Sequence, residues 1–346
     1  MDQLPRVVAL DAAEVLRGFV PTRRFAGVTF QSYVPDGRYP SQKAALARMG
    51  SFASDASAVQ RGLPFLRSKT RHPRAIYLDG GFGVGKTHLL AATYHAVHGV
   101  RYYLSFAELA YTITRLGMDP ALDAFAHARL LCIDEFELDD VAQTRMAAMF
   151  LRQLLERPLT HVVTTSNTLP SDLGQGRFAA DAFQRDIGDI ARAFEVVTID
   201  GEDYRHRNWS ELAPTTSHNH KTDDRSIEWP DLAEQLERVH PIHYAQIASK
   251  LEALHIACLR TIDDQAVALR LVHFVDKLYD QEVRLSLSSE VALADLFSPT
   301  YRHGGYEKKY RRCLSRLHEL LAETADQSSA AVRALHSAST APERSD

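Results

Sequence analysis

Cysteine is scarce in this chain. Cys132, Cys258 and Cys313 are its three cysteines; they stand far apart, form no CxxC and are odd in number. Neither a disulfide framework nor a structural zinc site is expected from such usage. Long apolar runs are missing too: none reaches the roughly 18 residues of a membrane span. The opening MDQLPRVVALDAAEV has no charged leader followed by an apolar stretch and a cleavage site, so the expected location is the cytoplasm. No strong charge of either sign is present. The formal net charge is -4, which offers no long-range attraction to nucleic acid or to an acidic membrane surface beyond local basic patches. No repeat of fixed period and no Ser-His-Asp or Cys-His nucleophile pattern stands out.

What is present is enough for a sizeable core in two domains: 346 residues, 45% of them hydrophobic and 24% charged. After a lead-in over residues 1–60, which holds an irregular stretch at 30–40 and a helical signal behind Ser41, short apolar strands alternate with amphipathic helices. Strands are predicted at 75–79, 101–105, 129–134, 160–165 and 194–199, and helices at 86–97, 106–116, 139–156 and 181–193. RLLCID at 129–134 is apolar between its first and last residues, as in strands buried on both faces. The alternation predicts an α/β core over 61–205 with a parallel sheet covered by helices on both faces. Residues 206–230 turn polar and read as a linker. A smaller, mainly helical domain is expected over 231–323, with β-like segments at 254–259 and 283–287. Residues 324–346, rich in Ser and Ala, read as a disordered tail.

Gly80-Gly81-Phe82-Gly83-Val84-Gly85-Lys86-Thr87 lies between a predicted strand and a predicted helix and fits the Walker A pattern. Glycines allow the backbone to wrap close enough for its N–H groups to face phosphate oxygens, and the helix adds its unpaired amides and positive dipole end. Lys86 brings a point charge to the β- and γ-phosphates of ATP, and Thr87 offers a hydroxyl to Mg²⁺. One helix–strand unit further on, Leu130–Asp134 ends in the pair Asp134-Glu135. Asp134 is the expected metal-binding carboxylate, and Glu135 the group that orients the attacking water.

The pattern places the core with the AAA-type, P-loop ATPases. In that class the end of HVVTTSN puts Asn167 at the sensor 1 position, beside Asp134 on the neighbouring strand. Arg177 and Arg185 are both candidates for an arginine finger acting on a neighbouring subunit's nucleotide, which would tie hydrolysis to homo-oligomer assembly. His206, His218 and His220 sit in the polar linker without a carboxylate frame and read as solvated. Lys308, Lys309, Arg311, Arg312 and Arg316 read as a basic helical face, either solvated or a docking surface for an acidic partner or lipid headgroups.

More specifically, the chain resembles the cell division protein ZapE family and its mitochondrial relatives. The likeness is carried by YPSQKAALARM at 39–49, YLDGGFGVGKTHLL at 77–90, LLCIDEFELDDVAQTRMAAMFLRQLL at 130–155, TTSNTLPSDL at 164–173 and Asp203-Tyr204-Arg205, then by VHPIHYAQI, LRLVHFVDKLYDQEVRLSLSS and YEKKYRRCLSRLHEL, and it spans roughly residues 20–322. The resemblance implies an AAA-type core with a C-terminal helical lid, ATPase activity, a ring or other oligomer, and a protein client. In bacteria that client is linked to the tubulin-like protein of the division ring; in mitochondria the family is linked to the handling of membrane-complex proteins. At most peripheral membrane contact is expected. Arg270 falls where a sensor 2 arginine would lie. Where family members usually read QRxRF-PFI, this chain reads GRFAADAFQRDI, which leaves the finger open between Arg177 and Arg185. GKTHLL is shared with replication initiators and helicase loaders, so a nucleic-acid-associated loader is the alternative reading. A non-enzymatic scaffold clamped by ATP is a third, opposed by the intact Asp134-Glu135 pair.

Overall fold

A computed structural model describes residues 4–5, 16–58, 74–81, 83–136, 141–157, 159–166, 192–202, 225–302 and 306–339. The chain divides into two units, Leu10–Arg207 and Met1–Ala9 joined with Asn208–Asp346.

The first unit begins with helix α1 (Pro40–Ser57). Pro40 stands at its first turn, where the missing N–H would have had no partner within the helix. Ala45, Met49, Phe52, Ala53 and Ala56 form its buried stripe. The sheet comprises β1 (Ala75–Gly80), β2 (Arg101–Ser105), β3 (Leu130–Asp134), β4 (His161–Ser166) and β5 (Glu195–Ile199), all parallel, in the order β2-β3-β4-β1-β5. Helices α2 (Lys86–Ala96), α3 (Phe106–Leu116), α4 (Met118–Phe125) and α5 (Val141–Glu156) are the other α-helices among the unit's described residues.

Side chains of a strand alternate between faces, so one strand feeds two cores. Tyr77 of β1 packs with Leu104, Leu131, Ile133, Phe125 and Phe150 in the core under α3, α4 and α5. Its neighbours Ile76 and Leu78 join Leu89, Cys132 and Val163 in the core under α1 and α2. The three central strands are therefore buried almost throughout, while the edge strand β5 alternates between half-buried and exposed residues until Ile199. Helix α3 starts with a capping box: the Ser105 hydroxyl accepts from the Glu108 amide and the Glu108 carboxylate accepts from the Ser105 amide at 2.7 Å.

Residues 16–58, set apart by sequence as a lead-in, are packed into this unit. Arg48 donates through Nε and Nη2 to the two carboxylate oxygens of Glu195, at 2.7 and 2.6 Å, tying α1 to β5. Gln42 donates to the Asp200 carbonyl at 2.9 Å, and the Asp200 amide donates to the Ser41 hydroxyl at 2.9 Å.

The second unit contains β6 (Arg225–Glu228), α6 (Trp229–Arg238), α7 (Tyr244–Ser249), β7 (Ala253–Leu259), α8 (Gln265–Asp280), β8 (Arg284–Ser289), α9 (Pro299–Arg302) and α10 (Glu307–Ser339). The two β-like segments anticipated by sequence are the strands β7 and β8, and a third, β6, joins them in a parallel sheet of order β6-β7-β8. β6 lies in the stretch read as a linker. Only Ile227 of its four residues is buried, so an edge strand of this kind leaves almost no apolar pattern to find. α10 runs on to Ser339, into the stretch read as a tail, while residues 340–346 lie outside the described residues. The alanines of that stretch favour a helix intrinsically.

The basic face expected on α10 loses two of its members. Arg312 and Arg316 turn inward, both at 9% side-chain exposure, and pair with the buried Asp276 of α8. Arg312 Nη2 lies 2.7 Å from Asp276 Oδ2, and Arg316 pairs with Oδ1. Arg311 pairs with Glu307 one turn away at 2.6 Å. Three or four residues of spacing define a helix face, but which face is buried is decided by the element packed against it.

Candidate nucleotide site

The phosphate-binding loop leaves β1 at Gly80 and enters α2 at Lys86. Three of its glycines have positive φ: Gly80 at 153°, Gly83 at 69° and Gly85 at 90°. The Gly85 position is doubly restricted, since a Cβ there would lie 2.5 Å from the ring of Tyr33. The same tyrosine donates its hydroxyl to the Val84 carbonyl at 3.0 Å. The ammonium of Lys86 donates to the carbonyls of Gly80 and Gly81, at 2.7 and 2.5 Å, and so bridges the loop it belongs to. Phe82 lies outside the described residues.

Opposite the loop stands Asp134, at the end of β3. Thr87 Oγ1 is 3.3 Å from Asp134 Oδ1, so hydroxyl and carboxylate meet although 47 residues separate them. Oδ1 also accepts from the hydroxyl of Thr165 and from the amide of Glu135 at 3.1 Å. Oδ2 accepts from the phenol of Tyr103 at 2.9 Å. Burial raises the Asp134 pKa from the ordinary carboxylate range and the neighbouring Glu135 charge raises it further, while the donors from Thr165, Tyr103 and Glu135 pull it down.

Glu135 has φ 51°, a left-handed conformation that is uncommon for a residue with a side chain. The turn is held from β4: the Glu135 amide donates to Thr165 Oγ1 at 3.0 Å, and the Phe136 amide donates to the Thr165 carbonyl at 2.7 Å. Phe136 is fully buried against Phe106, with ring centroids 5.0 Å apart. β4 pairs with β1 on one side and β3 on the other, so its carboxyl end lies between the loop and the acidic pair.

Lys86, Thr87, Asp134 and Glu135 are thus brought to one edge of the sheet, the edge at which open parallel sheets bind ligands. Asn167 follows directly after the buried Ser166 that ends β4, but Asn167 itself, Arg177, Arg185 and the Asp203-Tyr204-Arg205 box lie outside the described residues, as do His206, His218 and His220. Arg270 belongs to the second unit, where its Nη1 donates to the carbonyls of Leu236 and Val239 at 2.7 and 3.0 Å and closes the carboxyl end of α6. Sequence reasoning missed Tyr33, Tyr103 and Thr165. Tyr33 and Tyr103 belong to no motif, and Thr165 was seen only as part of TTSNTLPSDL, two residues before Asn167.

No group of three or more His, Cys, Asp or Glu residues suited to a metal occurs among the described residues. A hydroxyl and one carboxylate suit a hard cation that takes most of its oxygens from water and phosphate, which is the habit of Mg²⁺. Among the described residues no helix is long and apolar enough to cross a membrane.

The Escherichia coli (strain K12) cell division protein ZapE is 24% identical over 309 residues, covering 74% of this chain and 81% of that protein. The uncharacterized protein C115.02c of Schizosaccharomyces pombe is 25% identical over 335 residues, covering 72% of each. Among solved structures, the DnaC helicase loader aligns with a TM-score of 0.38 and 20% identity over 51% of this chain and 99% of that one. AMPPCP-bound DnaA from Aquifex aeolicus aligns with a TM-score of 0.37 and 15% identity over 50% of each chain. The family model described as AFG1-like ATPase matches residues 17–239 and 225–327. With that match over most of its length, the chain belongs to the AFG1-like ATPase family.

Proposed function

We propose that this protein binds ATP with Mg²⁺ and hydrolyses it, using the cycle to drive conformational work on a protein client. The observation that carries the reading is the 3.3 Å approach of Thr87 Oγ1 to Asp134 Oδ1 beside the Lys86 ammonium. A phosphate-binding loop alone is a binding device; a carboxylate facing it, followed directly by a glutamate, is what hydrolysis needs.

In this reading the loop amides and the amino end of α2 hold the phosphates. Lys86 exchanges its contacts with the Gly80 and Gly81 carbonyls for phosphate oxygens. Thr87 and Asp134 hold Mg²⁺, which when bound neutralises charge on the phosphate chain. Glu135 orients the attacking water, and Asn167 assists from the end of β4. Arg177 or Arg185 reaches the nucleotide of a neighbouring copy, and Arg270 is the candidate sensor 2. The client is a protein. The E. coli relative is a cell division protein, so the tubulin-like division protein is the first client to test.

Two variants test the chemistry. Lys86→Ala should lose nucleotide binding. Glu135→Gln should bind ATP normally and cease turnover; unaltered hydrolysis in it rejects Glu135 as the water-orienting group. The same Glu135→Gln protein, held in its ATP state, is the form to use for crosslinking and pull-down of the client.

A further inference from the structure

An aspartate carboxylate rotates about a broad, roughly two-fold torsion, so a group required to present one oxygen in one direction has to be held at both. At Asp134 one side is provided by groups already described: the Thr165 hydroxyl of β4 and the Glu135 amide, both on Oδ1. The other side is provided by a residue that belongs to no motif. Tyr103 of β2 pairs in register with Cys132 of β3, and Asp134 stands two residues beyond Cys132 on the same face. The phenol spans that step and donates to Oδ2 at 2.9 Å.

The ring that carries this hydroxyl is fixed. The Tyr103 backbone amide donates to the Phe19 carbonyl at 2.8 Å, and its ring stands perpendicular to that of Tyr94 with centroids 6.1 Å apart. Tyr94 in turn lies under the Arg101 guanidinium at 4.7 Å. Packing alone would be served equally by phenylalanine. The added oxygen is accounted for by what it binds.

We propose that Tyr103 is a positioning residue for the metal-binding carboxylate: by holding Oδ2 it keeps Oδ1 of Asp134 turned toward Thr87. The proposal rests on Thr87 and Asp134 being the Mg²⁺ pair. In this role Tyr103 acts through Asp134, to which it is bonded, rather than on the metal itself.

The test is a binding titration rather than a turnover assay. A fluorescent ADP analogue is titrated onto the parent protein, Tyr103→Phe, Asp134→Asn and the double variant, in EDTA and across a Mg²⁺ series, with melting temperatures taken in EDTA. The Tyr103→Phe protein should bind in EDTA like the parent, and the Mg²⁺ concentration giving half-maximal tightening should rise on the order of tenfold, as for loss of a hydrogen bond to a charged group. On the Asp134→Asn background the same change should add nothing. A Mg²⁺ response equal to the parent's, an equal loss with and without Mg²⁺, or additive effects in the double variant would each overturn the proposal while leaving the ATPase reading intact. A parent protein whose nucleotide binding ignores Mg²⁺ would overturn both.

Discussion

The main-chain amide of Glu135 and the side chain of Thr165, 30 residues apart, are joined by a hydrogen bond of 3.0 Å, and the same hydroxyl donates to Asp134. One threonine on β4 therefore holds both members of the acidic pair, and it holds Glu135 in a left-handed turn at φ 51°.

Thr165→Val keeps the shape and removes both bonds. It should leave the Glu135 amide with its bond to Asp134 but take from the Asp134 carboxylate one of its donors, and lower stability by about 1–3 kcal/mol. Turnover should fall by roughly tenfold or more, with nucleotide affinity changed less, because what is lost is the direction of Glu135. Urea denaturation beside steady-state ATPase assays separates the two effects; turnover unchanged at equal folding would remove Thr165 from the site.

Gly85→Ala introduces a Cβ where φ is 90° and where the Tyr33 ring is 2.5 Å away. The backbone strain alone should cost on the order of 1–2 kcal/mol, and the loop should lose nucleotide affinity. Pairing it with Tyr33→Ala relieves the clash but not the strain. Calorimetric titration of both should find only partial recovery; full recovery would mean that the backbone conformation is unimportant.

Asp276 governs acid stability in the second unit. Burial by itself would raise its pKa, but the Arg312 and Arg316 guanidiniums outweigh it and hold the group at about 2, below the ordinary 3.8. A depressed folded pKa contributes stability that is present above the unfolded value and is lost as pH falls from near 3.8 toward 2. The contribution is about 2 kcal/mol. Urea unfolding at a series of pH values should show this loss in the parent, and a flatter dependence over that window in Asp276→Asn. That variant should also be less stable at neutral pH by about 3–5 kcal/mol, since it leaves two buried guanidiniums without their carboxylate.

Arg270→Ala separates two roles. Loss of its bonds to the Leu236 and Val239 carbonyls predicts a lower melting temperature, worth about 1–3 kcal/mol. A sensor 2 role predicts an additional loss of ATP affinity or turnover. A protein that melts earlier yet binds and hydrolyses ATP like the parent would confine Arg270 to closing the end of α6.

What the sequence by itself determined is everything carried by short-range pattern. Glycines at 80, 83 and 85 with Lys86 and Thr87 announce a phosphate loop, because backbone freedom and the chemistry of neighbouring residues are encoded within a few positions. The apolar run of β3 ending in Asp134-Glu135 is legible for the same reason, as is the alternation that makes the sheet parallel. Tertiary structure alone decided which strands are neighbours. It inserts β4 between β1 and β3, brings Thr165 under Glu135 and Tyr103 against Asp134, sets Tyr33 on Gly85, and turns Arg312 and Arg316 inward to Asp276. These contacts link residues roughly 30 to 50 positions apart in the chain. They arise from strand register and from which helix face is covered, and neither leaves a periodic trace in the residues that take part.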